Sequence, residues 1–392
     1  MRRRLLPFLL ALAAATTTVA AAQPAPWTIG VIVSRTGPAA ASGRLQASAA
    51  ERFADTLGRL GVFGTPLVID VRDDAGDPAR AAALAAELTD AGATAIVCCT
   101  TSVATARVGA VLEVANVPLL ALTDVDPAGG TWTFALAPSD RARLTAIAVD
   151  AAGEGKVSLG LMTLATPFGD AAVEAFERAV ADAGRTIAGE ARYAPDAPVL
   201  TPEALWIATR QPGAVVVWGL ALDLPRAVDA LRRRGYAGLV YARPEALPAS
   251  QMARARPAAA PLRGDDPWTG LRVPLAPAVL AGHLPVDHPN RAAVAAFVGR
   301  SLAGDPAASS AADRAVLALV DDALVWLLAG TEQVAALGLG DDVATRRQAL
   351  RDALIGLPPL ALAAGTYEAT DADRRAAQWQ GLVVAELGPP TP

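Results

Sequence analysis

The sequence has few of the residues that bind metals. Its 392 residues contain two cysteines and two histidines, without the Cys/His spacing of a zinc site. A net charge of −5 and the absence of an extended basic cluster argue against a nucleic acid or an anionic membrane as partner. We therefore expect no metal, no cofactor and no nucleic-acid partner.

The two cysteines are neighbours, Cys98 and Cys99. A disulfide between adjacent residues is strained, so we expect buried free thiols even in an oxidising compartment. Signatures of catalysis are also missing. The sequence has no G-x-S-x-G, and no G-x-G-x-x-G opens a helix after a strand. No loop supplies a nucleophile together with a base, so we expect a protein that is not an enzyme.

The N-terminus has the pattern of a secretory signal peptide. Three arginines follow Met1, an uncharged apolar stretch covers 5–22, and the stretch ends in three alanines before Gln23. The stretch is too rich in threonine and alanine for a membrane anchor. We expect a signal peptide at 1–22 and a mature protein located in the periplasm.

Strand and helix signals alternate along the first third of the chain. Strands are predicted at 28–33, 67–71, 95–99 and 118–122, and helices at 44–60, 78–91 and 103–112. Asp77 before Pro78 is typical of a helix start. This order predicts a parallel sheet with helices on both faces.

A second series of the same kind follows. Strands are predicted at 157–163, 186–193, 215–218 and 239–241, then an irregular connection over 244–277 that contains a strand at 271–274. Helices are predicted at 170–183, 203–210, 225–234, 289–302, 311–328 and 343–355, and a final strand closes the chain. Two successive α/β units indicate an α/β protein with two lobes.

The loops that follow the strands are the places to look for a site, because ligands bind at the carboxyl ends of parallel strands. After the third strand come Thr100, Thr101 and Ser102, with Thr105 one turn into the next helix. Hydroxyls and free N–H groups at a helix N-terminus can hold a carboxylate. Ordinary helix capping explains the same residues, and the two interpretations stay open at this point.

In this context the chain resembles the type I periplasmic solute-binding proteins of ABC importers, in their leucine/isoleucine/valine-binding branch. The similarity covers nearly all of the mature chain and rests on an ordered set of weak motifs. They are Ile29-Gly-Val-Ile-Val, Thr36-Gly-Pro-Ala, Asp73-Asp74 with Asp77-Pro78, Ser102 to Thr105, Val117-Pro-Leu-Leu, Ala137-Pro-Ser-Asp, Phe168-Gly169 and Arg243-Pro-Glu245.

The resemblance implies two Rossmann-like lobes with parallel central sheets, joined by a three-segment hinge. Lobe 1 would comprise 23–139 and 272–365, and lobe 2 would comprise 140–271 and 366–392. It further implies a monomer that captures a small ligand, an amino acid or a related carboxylate or amide, and delivers it to an ABC permease with its ATPase. A ligand sensor of the same fold and, less favoured, a secreted enzyme are the alternatives.

The resemblance also implies roles for individual residues. Ser102 and Thr105 would hold the ligand carboxylate, and Val125 falls where a further hydroxyl is frequent. The backbone carbonyl of Thr123 and the carboxylate of Glu245 would bind the ammonium. Phe168 would pack on the ligand from lobe 2.

Three positions depart from the family pattern. Ser42 and Leu220 stand where aromatic residues are usual, and Asp124 is an additional acid beside the expected ammonium site. These changes weaken the case for strict branched-chain amino acid specificity. They are compatible with a larger, more basic or aromatic amino acid, or with another carboxylate or amide.

Overall fold

The computed structural model describes residues 25–62, 65–127, 130–258, 266, 268–304, 309–340 and 342–389. The expected signal peptide at 1–22 lies outside these residues. None of the helices within them combines the length and the apolar character that a membrane crossing needs.

The described residues form two large, mainly parallel sheets with helices on both faces, as the alternating signals predict, and a small antiparallel sheet of three short strands, β12 to β14. The strands are β1 (Trp27–Val33), β2 (Leu67–Asp73), β3 (Ala95–Cys98), β4 (Leu119–Ala121), β5 (Thr133–Ala135), β6 (Ser158–Leu164), β7 (Thr186–Tyr193), β8 (Ala214–Trp218), β9 (Leu239–Ala242), β10 (Ala255–Pro257), β11 (Leu271–Leu275), β12 (Leu360–Ala361), β13 (Thr366–Tyr367), β14 (Ala377–Gln378) and β15 (Val383–Leu387).

The helices lie between these strands and after β11. They are α1 (Ala40–Thr56), α2 (Pro78–Asp90), α3 (Ser102–Ala115), α4 (Asp140–Gly153), α5 (Pro167–Asp182), α6 (Thr201–Ala208), α7 (Asp223–Arg233), α8 (Ala249–Met252), α9 (Arg291–Ser301), α10 (Ala311–Ala336) and α11 (Val343–Gly356). The Asp77 carboxylate accepts the N–H of Ala79 and Pro78 takes the first turn, so the predicted start of α2 is confirmed.

The first sheet has the order β2-β1-β3-β4-β5 and is parallel throughout. The second has the order β10-β15-β11-β9-β8-β6-β7, in which only β15 runs antiparallel to its two neighbours. We call the layers around the first sheet lobe one and those around the second sheet lobe two. The central strands β3, β4, β8 and β9 are apolar and buried on both faces, as strands covered by helices on both sides must be.

The strand pairing bears on the hinge. β11 pairs with β9 and β15, so residues 271–275 belong to the second sheet, although the expected second crossing lay near Arg272. Ala135 in the first sheet bridges to Arg375, which brings this part of the C-terminal segment to lobe one before β15 joins the second sheet. The lobe boundaries themselves stay a prediction.

Two local predictions are wrong. Cys98 and Cys99 are buried as expected, but the structure joins them in a disulfide rather than leaving free thiols. Helix α1 begins at Ala40 and not after Gly43.

A close contact at Gly43 brings the first turn of α1 against the residue that follows β1. A Cβ at this position would lie 1.9 Å from the carbonyl oxygen of Ser34, so the helix can approach the end of β1 only with glycine here. We therefore expect Gly43→Ala to lower the free energy of unfolding by about 2 kcal/mol, because the clash outweighs the gain of about 1 kcal/mol in helix propensity.

Urea denaturation followed by tryptophan fluorescence measures this change. Gly299 in α9 is the matched control, because nothing lies within 4 Å of a Cβ placed there. Gly299→Ala should be neutral or stabilising. Equal effects of the two substitutions would contradict the contact at Gly43.

Candidate functional site

A cleft of about 660 Å³ lies between the two lobes. Its polar lining residues come shortly after the carboxyl ends of β3, β4 and β9, or from α1 and the start of α4. Its volume is in the range of small-molecule sites. The polar lining consists of Ser42, Gln46, Thr100, Ser102, Thr123, Asp124, Asp140, Arg143, Arg243 and Glu245.

The lobe-one wall is built around the N-terminus of α3. Thr101 caps this helix by accepting the N–H of Ala104, and Ser102, its first residue, lies exposed in the cleft. Beside it, Thr100 donates its hydroxyl hydrogen to Gln46 at 2.6 Å and accepts the N–H of Ser34 at 2.9 Å. Capping falls to Thr101, so the Ser102 hydroxyl stands in the cleft wall without serving as the helix cap.

Thr105 is placed differently from its expected role. It is buried, and its hydroxyl lies 3.0 Å from the carbonyl of Thr101 and 2.8 Å from the hydroxyl of Thr123. It does not line the interlobe cleft. Thr105 therefore fixes Thr123 and the first turn of α3 from behind, and Thr123 lines the cleft itself.

Thr105 and Val125 line a second cavity instead, of about 530 Å³, between α3 and the segment after β4. Ser102 stands at the edge of both cavities. Leu220 lines neither cavity; it is exposed at the start of α7, where its N–H donates to Asp223. Of the expected site residues, the structure brings together Ser42, Ser102, Thr123, Asp124, Phe168 and Glu245.

The lobe-two wall carries an aromatic and cationic stack. The guanidinium carbon of Arg243 lies 4.8 Å from the centroid of the Phe168 ring and 5.8 Å from that of Trp218. These are cation–π distances. Phe168 is half-buried and lines the cleft, so it can contact a ligand while Arg243 restricts its position.

Glu245 and Asp140 are held by two arginines. Arg143 lies 2.7 Å from Glu245 and 3.4 Å from Asp140, while Arg243 lies 3.3 Å from Glu245 and 4.0 Å from Asp140. Trp218 donates its indole N–H to Asp140 at 3.0 Å. Burial alone would raise the pKa of Glu245, but the positive charges of Arg143 and Arg243 hold it below its ordinary value.

Asp124 has the opposite shift. Its side chain opens into the cleft, yet the surrounding protein restricts its hydration and raises the pKa of the carboxyl group. The charge of Arg143 opposes this shift and that of Asp140 adds to it, while the N–H of Asp140 donates a hydrogen bond to the carboxylate. Asp124 thus lies at the N-terminus of α4, where a negative charge is favourable.

The remaining wall is apolar and comes mostly from the hinge side of the cleft. It can accommodate a hydrocarbon part of a ligand while the two lobes contact its polar groups. These residues are Leu122, Met252, Pro274, Leu275, Ala276, Val279, Ala315, Val316, Leu319, Ala364 and Leu382.

Comparison with known proteins identifies the family. A sequence model described as "Periplasmic binding protein" matches residues 26–387. The chain belongs to this family. The resemblance drawn from the sequence motifs is therefore confirmed, and so is the type I fold with its parallel sheets. The family is one of ligand-binding proteins.

Solved structures agree with this periplasmic binding protein fold. An extracellular ligand-binding receptor from Rhodopseudomonas palustris HaA2 is 20% identical with a TM-score of 0.67, covering 93% of this chain and 98% of that one. A putative branched-chain amino acid ABC transporter from Rhodospirillum rubrum is 20% identical with a TM-score of 0.70, covering 92% and 99%. LivJ from Streptococcus pneumoniae, in complex with isoleucine, is 16% identical with a TM-score of 0.60, covering 93% and 100%. No curated protein sequence matches the chain significantly.

Sequence reasoning missed five polar residues of this binding protein's cleft: Gln46, Thr100, Asp140, Arg143 and Arg243. Thr100 stood in the hydroxyl cluster without a role of its own. Arg143 comes three residues after Asp140, so one face of α4 presents both to the cleft. No signal in the sequence points to Gln46, which lies in α1 and accepts a hydrogen bond from Thr100.

Proposed function

We propose that the protein captures a small solute with a carboxylate group, an amino acid or a related compound, in the interlobe cleft and delivers it to an ABC permease with its ATPase. The N-terminus of α3 in the cleft wall carries this proposal. Ser102 and the first-turn N–H groups supply uncharged donors for a carboxylate, and the helix dipole favours its charge.

Closure of the two lobes would bury the ligand without covalent chemistry and create the surface that the permease recognises. We further propose that the protein acts as a monomer in the periplasm after removal of residues 1–22. Two of the structural relatives belong to branched-chain amino acid transporters, and one of them is in complex with isoleucine. They support an amino acid as the first class of ligand to test.

A thermal-shift screen tests the capture of a solute. The chain from Gln23 onward is purified and mixed with each amino acid and with amine-free carboxylates and amides. A ligand that binds the folded state alone adds about 2.7 kcal/mol to the free energy of unfolding at one hundred times its Kd. Its binding therefore raises the melting temperature. A panel without any shift would contradict the proposal.

Ser102 provides the first mutational prediction. Ser102→Ala should weaken the binding of a carboxylate ligand by about 1–3 kcal/mol, because one hydrogen bond to a charged group is lost. Isothermal titration calorimetry measures the change, and an unaltered melting temperature of the unliganded variant shows that the fold is intact. Ser48→Ala is the matched control, since Ser48 lies in α1 and outside the residues that line the cleft. Equal affinities of the Ser102 variant and the wild type would contradict the assignment.

A further inference from the structure

The acidic residues of the cleft differ in how far they are neutralised. Five charged side chains line it among the described residues, namely Asp124, Asp140, Arg143, Arg243 and Glu245. Three are acidic and two are basic, so the cleft carries one surplus negative charge when all are ionised. The position of that surplus decides where a cationic group of a ligand would bind.

Glu245 does not carry the surplus. One of its oxygens pairs with Arg143 and the other with Arg243, and Asp140 is the second partner of both arginines. Two carboxylates and two guanidiniums therefore form a neutral group of four. An ammonium placed at Glu245 would meet two guanidiniums at the same contact distance, and their repulsion offsets its attraction to the carboxylate.

Asp124 carries the surplus. Within the described part of the chain it forms no ion pair, and a backbone N–H of Asp140 is its hydrogen-bond donor. It follows Thr123 directly and lines the same cleft as Ser102. A carboxylate oxygen has more than one lone pair, so this contact leaves Asp124 able to accept from a ligand.

We propose that Asp124, and not Glu245, provides the counter-charge for a ligand ammonium, so that the solute is an amine-bearing carboxylate and not an amine-free acid. This inference rests on the proposed function and specifies its ligand class. The neutral group of two carboxylates and two guanidiniums holds Arg243 in place, and Arg243 in turn packs against the Phe168 ring.

Matched ligand pairs test the proposal by calorimetry. The probes are L-leucine with 4-methylpentanoate and L-phenylalanine with 3-phenylpropanoate, which differ in the ammonium group alone. The wild type should bind at least one amino acid about tenfold or more tightly than its amine-free partner. Asp124→Asn, which keeps the shape and an acceptor for the Asp140 N–H, should lose about tenfold in amino acid affinity and leave the affinity for the partner acid nearly unchanged.

Glu245→Gln distinguishes the two acids. The Glu245→Gln variant should still prefer the amino acid over its amine-free partner, even if the affinities for both ligands change. Loss of that preference in Glu245→Gln and its retention in Asp124→Asn would overturn the proposal. A wild type that binds the amine-free acids as tightly as the amino acids would also overturn it, while leaving the capture of a carboxylate intact. If none of the four probes bound, this inference would be overturned. If no compound of the thermal-shift panel raised the melting temperature, the proposed function would be overturned as well.

Discussion

Replacing Arg272 with leucine should lower the free energy of unfolding by about 4 kcal/mol, the largest effect that we expect from a single substitution. Arg272 lies in β11 and is fully buried. Its guanidinium contacts Asp150 at 2.9 Å and Glu154 at 3.0 Å, both at the C-terminal end of α4. Without the arginine, these carboxylates would face each other with no cation between them.

The Arg272 cluster also fixes a part of the site. Tyr241 donates its hydroxyl hydrogen to Asp150 at 2.6 Å, so β9, β11 and α4 are tied at one point. α4 begins with Asp140 and carries Arg143 in its first turn. We therefore expect Arg272→Leu to weaken ligand binding too, although the cluster lies at the other end of α4.

Chemical denaturation measured by far-UV circular dichroism gives the change in stability. Arg233 is the matched control, because it is exposed in α7 and pairs with Asp229 at the surface. Arg233→Leu should alter the free energy of unfolding by less than about 0.5 kcal/mol. If Arg272→Leu were as mild as this control, the buried cluster would not contribute to the stability of lobe two.

Removing the Asp322 carboxylate should lower the free energy of unfolding by about 3 kcal/mol. Asp322 is buried in α10 and accepts the N–H groups of Ala363 at 2.8 Å and Ala364 at 2.6 Å. Burial, and secondarily the charge of Asp321, raises the pKa of Asp322 well above its ordinary value, while Tyr367 donates a further hydrogen bond that opposes this shift. Asp322→Ala leaves these donors buried without an acceptor.

Asp322→Ala should also affect the ligand, because Ala364 lines the cleft. We expect a lower melting temperature and a weaker affinity in the same variant. Glu332→Ala is the control, since Glu332 is exposed on the same helix and the exchange should alter stability by less than about 0.5 kcal/mol. A stability equal to that of the control would contradict the role of Asp322 in holding the segment before β13.

Periodicity and capping residues predicted most of the fold, because those signals are local. Asp77 with Pro78 and the apolar strand before Cys98 are read from a few neighbouring residues. The start of α1 was missed because no side chain caps this helix, so its first turn carries no capping signal in the sequence. β5, at Thr133–Ala135, is too short for a periodic signal.

The site was predictable to a smaller extent. Ser102 followed from its place after a buried strand, and the structure puts it in the cleft. The pairing of Glu245 with Arg143 could not be foreseen, because Arg143 lies in α4 and meets the segment after β9 only after folding. Thr105 was predicted to hold the ligand, but its hydroxyl contacts Thr123 within lobe one. The sequence does not reveal that contact.

A crystal structure of the chain with the ligand found by the thermal-shift screen tests the central claim most directly. We predict the ligand carboxylate within hydrogen-bond distance of Ser102 and the first-turn N–H groups of α3, with Phe168 against the ligand from lobe two. A ligand bound instead in the cavity lined by Thr105 and Val125, or bound in the cleft with its carboxylate turned away from α3, would contradict the account.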